Sequence, residues 1–466
     1  MLIDTVLKKI SYSFFANLVS LGVSIFMVMV VPKFLSPNDY GLWQLFLFYY
    51  SYVGFLAFGL EDGIYLRYAG YDLQRLDPKL FAGQYYLNIS FQIIFAIILS
   101  ACAPYFINDS FKLIALLCAV WISPLAHLYG MSSLILQMVN QIKKYAVLLI
   151  TEGAVFFFCV LLIVLSGVHQ FRYFYLAKYF STAVMTLMAI YFCRRLLIPK
   201  FYSFREICCE AYENISVGIK LMLANIASML IIGIVRYGIS MGWDVATFGK
   251  VSLTLGVSNF LMVFINSVSV VFFPIVKRMD ERKRSEIYMV IRNALTFLLF
   301  AGLIGYYPVR YILSLWLPQY ADSLVYMSVL FPVCVFESKV TLLINTYLKS
   351  MRKEFLMLKI NAVSVAFSLI VTTFTVGIWH SLNAAVFSIV LVYAFRCVLA
   401  EYHVTRLLGL DLRINMLEDL MMCGIFILSG WVFDSFLCMA VYGGVYIAFV
   451  LIHRRSLQQI IGMVRR

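Results

Sequence analysis

SYSFFANLVSLGVSIFMVMVV, Ser11 to Val31, runs twenty-one residues without one ionisable side chain. A helix needs roughly 20 apolar residues to cross a bilayer's hydrocarbon core, so this stretch reads as one complete membrane span. About thirteen more long apolar segments follow it. Expected helices lie at about 11–31, 41–60, 81–103, 111–136, 145–166, 171–193 and 214–238, then 247–276, 286–306, 322–348, 355–377, 382–402, 417–433 and 435–452. Composition agrees. Of 466 residues 63% are hydrophobic and only 13% charged, against about 25% charged in soluble domains. Between the spans no segment is long enough to fold as a separate soluble domain. Met1 to Ile10 carries Lys8 and Lys9 ahead of the first apolar run. That run is too long for a signal peptide and lacks a small-residue cleavage site, so it reads as a retained first helix.

Charge gives the orientation. The net charge of +14 is held almost wholly in the loops, which argues against nucleic acid as a partner. With the N-terminus inside, the inner segments hold 27 Lys and Arg, from Lys8 and Lys9 through Lys143, Lys144 and Arg292 to Arg465 and Arg466. The outer loops hold four: Lys33, Lys112, Arg172 and Arg310. Short cytoplasmic loops carry excess basic residues, and a wrong helix count would scramble this alternation. The pattern predicts fourteen helices with both termini cytoplasmic. The ten cysteines include no CxxC pair, and Cys208 and Cys209 are adjacent. Disulfides, a metal site and a cofactor are therefore not expected.

Transporters are often built from internal repeats. A shift of 208 residues aligns Ala16-Asn17 with Ala224-Asn225, and Tyr40-Gly41 with Phe248-Gly249. It also brings Lys143-Lys144 onto Met351-Arg352. Six helices separate the copies, so the repeat is parallel. The expected fold is all-α: two pseudo-symmetric six-helix lobes, 1–205 and 206–405, plus a C-terminal helix pair and basic tail at 406–466.

Pro32-Lys33-Phe34-Leu35-Ser36-Pro37-Asn38-Asp39-Tyr40-Gly41-Leu42 follows a first helix containing Asn17, and helix 2 ends in Gly59-Leu60-Glu61-Asp62-Gly63-Ile64. These residues resemble the bacterial polysaccharide transporters of the O-antigen flippase (Wzx) type, in the multidrug/oligosaccharidyl-lipid/polysaccharide (MOP) flippase superfamily. Such proteins carry an Arg-x-Leu-Ser-Pro-x-x-Tyr-Gly-like stretch after helix 1; here Lys33 takes the Arg place. Relatives often have an acidic-basic pair early in helix 7, where this chain has Ser228-Met229. The resemblance implies a V-shaped pair of lobes around a central cavity. It further implies movement of a lipid-linked oligosaccharide, usually on undecaprenyl pyrophosphate, from the cytoplasmic to the outer leaflet of the plasma membrane. Partners would be that lipid, the membrane lipids and other polysaccharide assembly proteins.

Ionisable groups inside spanning helices are costly, about 2.5–3.5 kcal/mol each on insertion scales, and usually face a cavity. Beyond the 27 inner and four outer basic residues, the remaining six cations fall inside the expected helices: Lys178, Lys220, Arg236, Lys250, Lys339 and Arg396. The acids are fewer, chiefly Glu152 and Glu337, with Glu61, Asp62 and Glu401 at helix ends. Lys339, Arg236, Lys220 and Lys178 are the candidate cavity cations for a pyrophosphate-sugar head group. For Arg236, Lys220, Lys250 and Arg396 the competing reading is a side chain reaching to the nearest interface. Glu337 and Lys339, two residues apart, point in different directions, so each needs a partner on another helix or in water. Glu152 either balances a cation such as Lys178 or is a coupling group; Glu337, Glu61 and Asp62 share that choice. Asn17 and Asn225, matched by the repeat, fit lobe packing or sugar contact. His127, close to Pro124, reads as a hydrogen-bonded packing residue.

Three functions compete. A flippase for an anionic lipid-linked sugar fits the excess of intramembrane cations. A multidrug/cation antiporter of the same superfamily often uses an acid in helix 1, which has none here. Lipid II flippases usually place arginines in helix 1, also absent. An enzyme acting on the same lipids needs a sizeable outer loop with catalytic residues; the longest, about Tyr307 to Ala321, holds Arg310 and no acid. No GxxxxGK[ST] phosphate loop exists for an ATP-driven pump. The expectation is a secondary, non-enzymatic flippase working by alternating access.

Overall fold

A computed structural model of the chain describes residues 19, 21–197, 203–259, 262, 265, 276, 281–432 and 436–458. Among these the chain is almost wholly helical, with no strand. Among the described residues nine helices are long and apolar enough to cross a membrane. They are α4 (Pro78–Phe106), α5 (Ser110–Met138), α6 (Ile142–Leu165), α7 (Phe171–Leu197), α8 (Phe204–Gly242), α10 (Arg284–Trp316), α13 (Glu354–Ile378), α14 (Leu382–Leu407) and α15 (Arg413–Val432). Two further apolar pairs are bent: α2 (Pro37–Ala57) with α3 (Leu60–Tyr68) by 58°, and α11 (Pro318–Leu330) with α12 (Val333–Ser350) by 42°. Three shorter apolar helices complete the described set: α1 (Leu21–Phe34), α9 (Val245–Ser258) and α16 (Leu437–Ile452). The protein is a multi-pass membrane protein.

Two compact units divide the chain: Met1–Ile226 with Val245–Gly249, and Ala227–Asp244 with Lys250–Arg466.

In the first unit the motif around Ser36 has a local cause. Ser36 caps α2, its Oγ accepting from the Asp39 amide at 3.1 Å, while Pro37 fills the first helical position. That satisfies an amide the helix start leaves open, and proline lacks one there anyway. Gly41 follows because two backbones meet at it. A Cβ on Gly41 would lie 2.0 Å from the Val245 carbonyl oxygen, and one on Gly249 would lie 2.7 Å from Gly41 Cα. The two glycines matched by the 208-residue repeat therefore touch, and only their missing side chains allow it.

Helix 2 was expected unbroken to residue 60. It breaks at Phe58 and Gly59, both with positive φ (50° and 81°), where glycine carries the left-handed backbone at little cost. Past the break, α3 packs backbone to backbone on α8. A Cβ on Gly63 would lie 1.8 Å from the Asn214 oxygen, and one on Gly218 would lie 2.0 Å from the Gly59 oxygen.

The second unit bends at Pro332, which cannot donate to the turn before it, and carries π-helical turns at Lys339–Ile344 and Thr373–Ile378. Three sequence expectations change here and at the α7–α8 junction. Residues 204–212, which fall between the expected helices at 171–193 and 214–238, are the first turns of α8. Much of the expected outer loop 307–321 is helix, Tyr306–Trp316. Arg292, counted with an inner loop, is 2% exposed inside α10.

Candidate functional site

The break in helix 2 exposes backbone carbonyls at membrane depth, where each unsatisfied group costs several kcal/mol. Side chains from α4 and α5 cover them. Gln92 Nε2 donates to the Leu56 oxygen at 3.0 Å, and His127 Nε2 lies 3.0 Å from the Val53 oxygen. Glu61, on the first turn of α3, takes the other imidazole nitrogen at 2.6 Å and accepts from Asn88 Nδ2 at 2.9 Å. A carbonyl can only accept, so Nε2 carries a hydrogen; Nδ1 and Glu61 Oε1 then share one proton between them. Gln84, Asn88 and Gln92, four residues apart, form one buried polar stripe of α4. Asp62, beside Glu61, is half-buried and forms no ion pair among the described residues.

Lys178 and Glu152 meet at 3.0 Å, with the ammonium also above the rings of Tyr50 and Phe156. Burial of one charge is tolerable when the other sits against it. Glu152→Gln or Lys178→Met alone is expected to destabilise the protein by about 3 kcal/mol. The double variant should recover most of that loss in a thermal-unfolding cycle in detergent. Additive losses would show that the two do not act as a pair. At the other end of α3, Arg67 reaches Glu210 at 2.5 Å, Asn214 at 2.5 Å and Glu213 at 2.6 Å, clasping α3 to α8.

The second unit holds two buried ion clusters. Arg292 reaches Glu401 and Asp419, each at 2.5 Å, and Lys339 closes on the same Asp419 oxygen. Two cations and two acids from α10, α12, α14 and α15 thus cancel at side-chain exposures of 1–6%. Alongside, Arg396 reaches Glu337 at 2.8 Å, Ser228 at 2.9 Å and Asn361 at 3.2 Å. Glu337 and Lys339 each find a partner on a different helix, as their opposed directions require.

The remaining candidates are placed less deeply. Arg236 is half-buried and donates to Ser252 Oγ at 3.1 Å. Lys250 is half-buried; Lys220 and Asn225, on α8, are exposed. The Lys220 side chain makes no ion pair among the described residues. Asn17 lies outside the described residues. Among the described residues no group of three His, Cys, Asp or Glu is placed to hold a metal ion.

Sequence reasoning did not single out Asn88, Arg292 or Asp419 as buried partners. A signal existed for Asn88 in its four-residue spacing from Gln84 and Gln92. Arg292 was already accounted for by the excess of basic residues inside, and Asp419 sits near the start of the expected helix 417–433, so nothing marked either as a buried partner.

No protein-family model and no curated protein matches the chain. Solved structures do. The lipid II flippase MurJ in an inward closed conformation superposes with a TM-score of 0.68 at 12% identity, covering 97% of this chain and 100% of that one. An inward-facing multidrug resistance MATE family transporter of the MOP superfamily gives 0.61 at 11% identity, covering 88% and 98%. A MOP superfamily transporter from Pyrococcus furiosus gives 0.51 at 13%, covering 90% and 96%. The chain has the fold of these transporters.

Proposed function

We propose that a chain with this fold is a flippase of the Wzx type, moving a lipid-linked oligosaccharide across the bacterial plasma membrane for surface polysaccharide synthesis. The carrier would be undecaprenyl pyrophosphate, the mechanism alternating access, and the protein not an enzyme. In this reading it has fourteen spans and cytoplasmic termini. It has lobes 1–205 and 206–405 with a C-terminal pair at 406–466, and works beside other polysaccharide assembly proteins.

One observation carries the reading. Glu152, Glu337, Glu401 and Asp419 are each committed to a cation, and Glu61 to His127. Lys220 stays exposed within an apolar helix. Acids already neutralised offer little to a cationic substrate, whereas an accessible ammonium on a spanning helix suits a pyrophosphate. Lys178 and Lys339 then serve chiefly to balance charge, leaving Lys220 and Arg236 as head-group contacts. Glu61 and His127, holding one proton between them, are the coupling candidate.

Asp62 favours a second reading. A half-buried carboxylate without an ion pair among the described residues is what a multidrug/cation antiporter would use. Lipid II, named for the MurJ neighbour, is a third reading of the cargo.

Deleting the gene and assaying lipid-linked intermediates by leaflet separates these readings. Loss of surface glycan with intermediates held on the cytoplasmic side supports the flippase; normal glycan with sensitivity to cationic drugs supports the antiporter. Lys220→Gln is expected to lower glycan export about tenfold, the worth of one charged hydrogen bond, with unchanged protein yield. Export at the wild-type rate would remove Lys220 from the head-group site.

A further inference from the structure

The turn between α14 and α15 closes one end of a cleft that no part of the transport reading uses. Phe395, Val398 and Leu399 line it from α14, and Met416, Leu417 and Leu420 from α15. On both helices the spacing is three then one, or one then three, so each presents a single apolar stripe to the other. Tyr402 and Arg413 extend the two stripes to the turn. The cleft holds about 390 Å³ and is open along its side, with Leu417 59% exposed. That volume lies at the small end of ligand sites.

Its mouth is chemically different. Thr405, Arg406, Asp411 and Arg413 line a second cavity of about 390 Å³ that shares Tyr402 and Arg413 with the apolar cleft. Asp411 lies 3.7 Å from Arg413, and its carboxylate accepts from the Arg413 amide at 3.3 Å. Arg406 makes no side-chain ion pair among the described residues. Two guanidinium groups against one carboxylate leave one positive charge at the end of a greasy trough, on the side of the protein that carries the basic loops.

We infer that this cleft is a binding site for an anionic diacyl phospholipid, with an acyl chain between α14 and α15 and the phosphate at Arg406 and Arg413. The chain replaces bilayer contacts along a concave rather than a flat surface. The guanidinium forks match phosphate oxygens, and one net positive charge matches the single charge of a phosphatidylglycerol. A choline head group would set a further cation beside two arginines. A pyrophosphate-linked glycan brings more charge and bulk than the mouth balances.

The test titrates the purified full-length protein in detergent with dioleoylphosphatidylglycerol or dioleoylphosphatidylcholine, reading bound lipid by native mass spectrometry. The glycerol lipid should bind more tightly. Each basic residue at a membrane surface contributes about fivefold, so Arg406→Ala with Arg413→Ala should weaken it roughly thirtyfold. Leu417→Trp, which fills the trough, should weaken both lipids. Arg454→Ala with Arg455→Ala, basic but outside the cleft, should change neither. Equal affinity for the two lipids, or an arginine double variant that binds like wild type, overturns the site. So does a 454/455 variant that loses as much. Displacement of the glycerol lipid by equimolar undecaprenyl phosphate overturns the assigned occupant.

Discussion

Asp419→Ala is expected to unfold or misassemble the second unit, with a loss of about 3–5 kcal/mol. Among the described residues Asp419 is the one acid that both Arg292 and Lys339 contact. Removing it leaves two cations against Glu401 alone, at side-chain exposures of 1–2% for Arg292, Lys339 and Glu401. Taking a partner from a buried pair costs far more than the pair itself contributes, because the remaining charge has no water to turn to. Two comparisons make the test specific. Asp411→Ala removes an acid that is 78% exposed and should change stability by no more than about 0.5 kcal/mol. Replacing all four charged residues by apolar ones of similar volume should recover much of the loss. Detergent-solubilised yield and thermal unfolding provide the readout. An Asp419→Ala protein as stable as wild type would mean the network is not closed as described.

Gly63→Val carries the second large effect, in the first unit. Even the Cβ of alanine would lie 1.8 Å from the Asn214 oxygen. The obstacle is backbone, so no rotamer change relieves it; α3 and α8 must separate. Overpacking typically costs 1–3 kcal/mol and occasionally more, and valine extends the clash. Gly218→Ala should behave alike, its Cβ meeting the Gly59 oxygen at 2.0 Å. Gly424 is the control: a Cβ there meets nothing within 4 Å, and alanine should be neutral or stabilising by up to about 1 kcal/mol on helix propensity. The separation would also carry Glu61, two residues before Gly63, away from His127 and Asn88. Loss of transport should accompany loss of stability. A Gly63→Val protein that melts like wild type would rule out the close crossing.

Membrane residence, the helical fold and most helix positions follow from the sequence alone, because the cost of burying charge or open backbone in hydrocarbon is local and large. Twenty-one residues at 11–31 without an ionisable side chain have few other stable fates. The 208-residue shift pairs Gly41 with Gly249, but that these two glycines touch is a fact of the tertiary structure. What lay beyond sequence was partnership. That Lys339 meets Asp419, that Arg396 meets Glu337 rather than Glu401, and that His127 meets Glu61 are facts about side chains 59 to 80 residues apart. A charged residue in a helix states only that it needs a partner. Which one it finds depends on the crossing of helices, and that is set by packing between elements distant in the chain. The same holds for the break in helix 2. Gly59 permits it, but only Gln92 and His127, brought from α4 and α5, make the opened carbonyls tolerable inside a membrane.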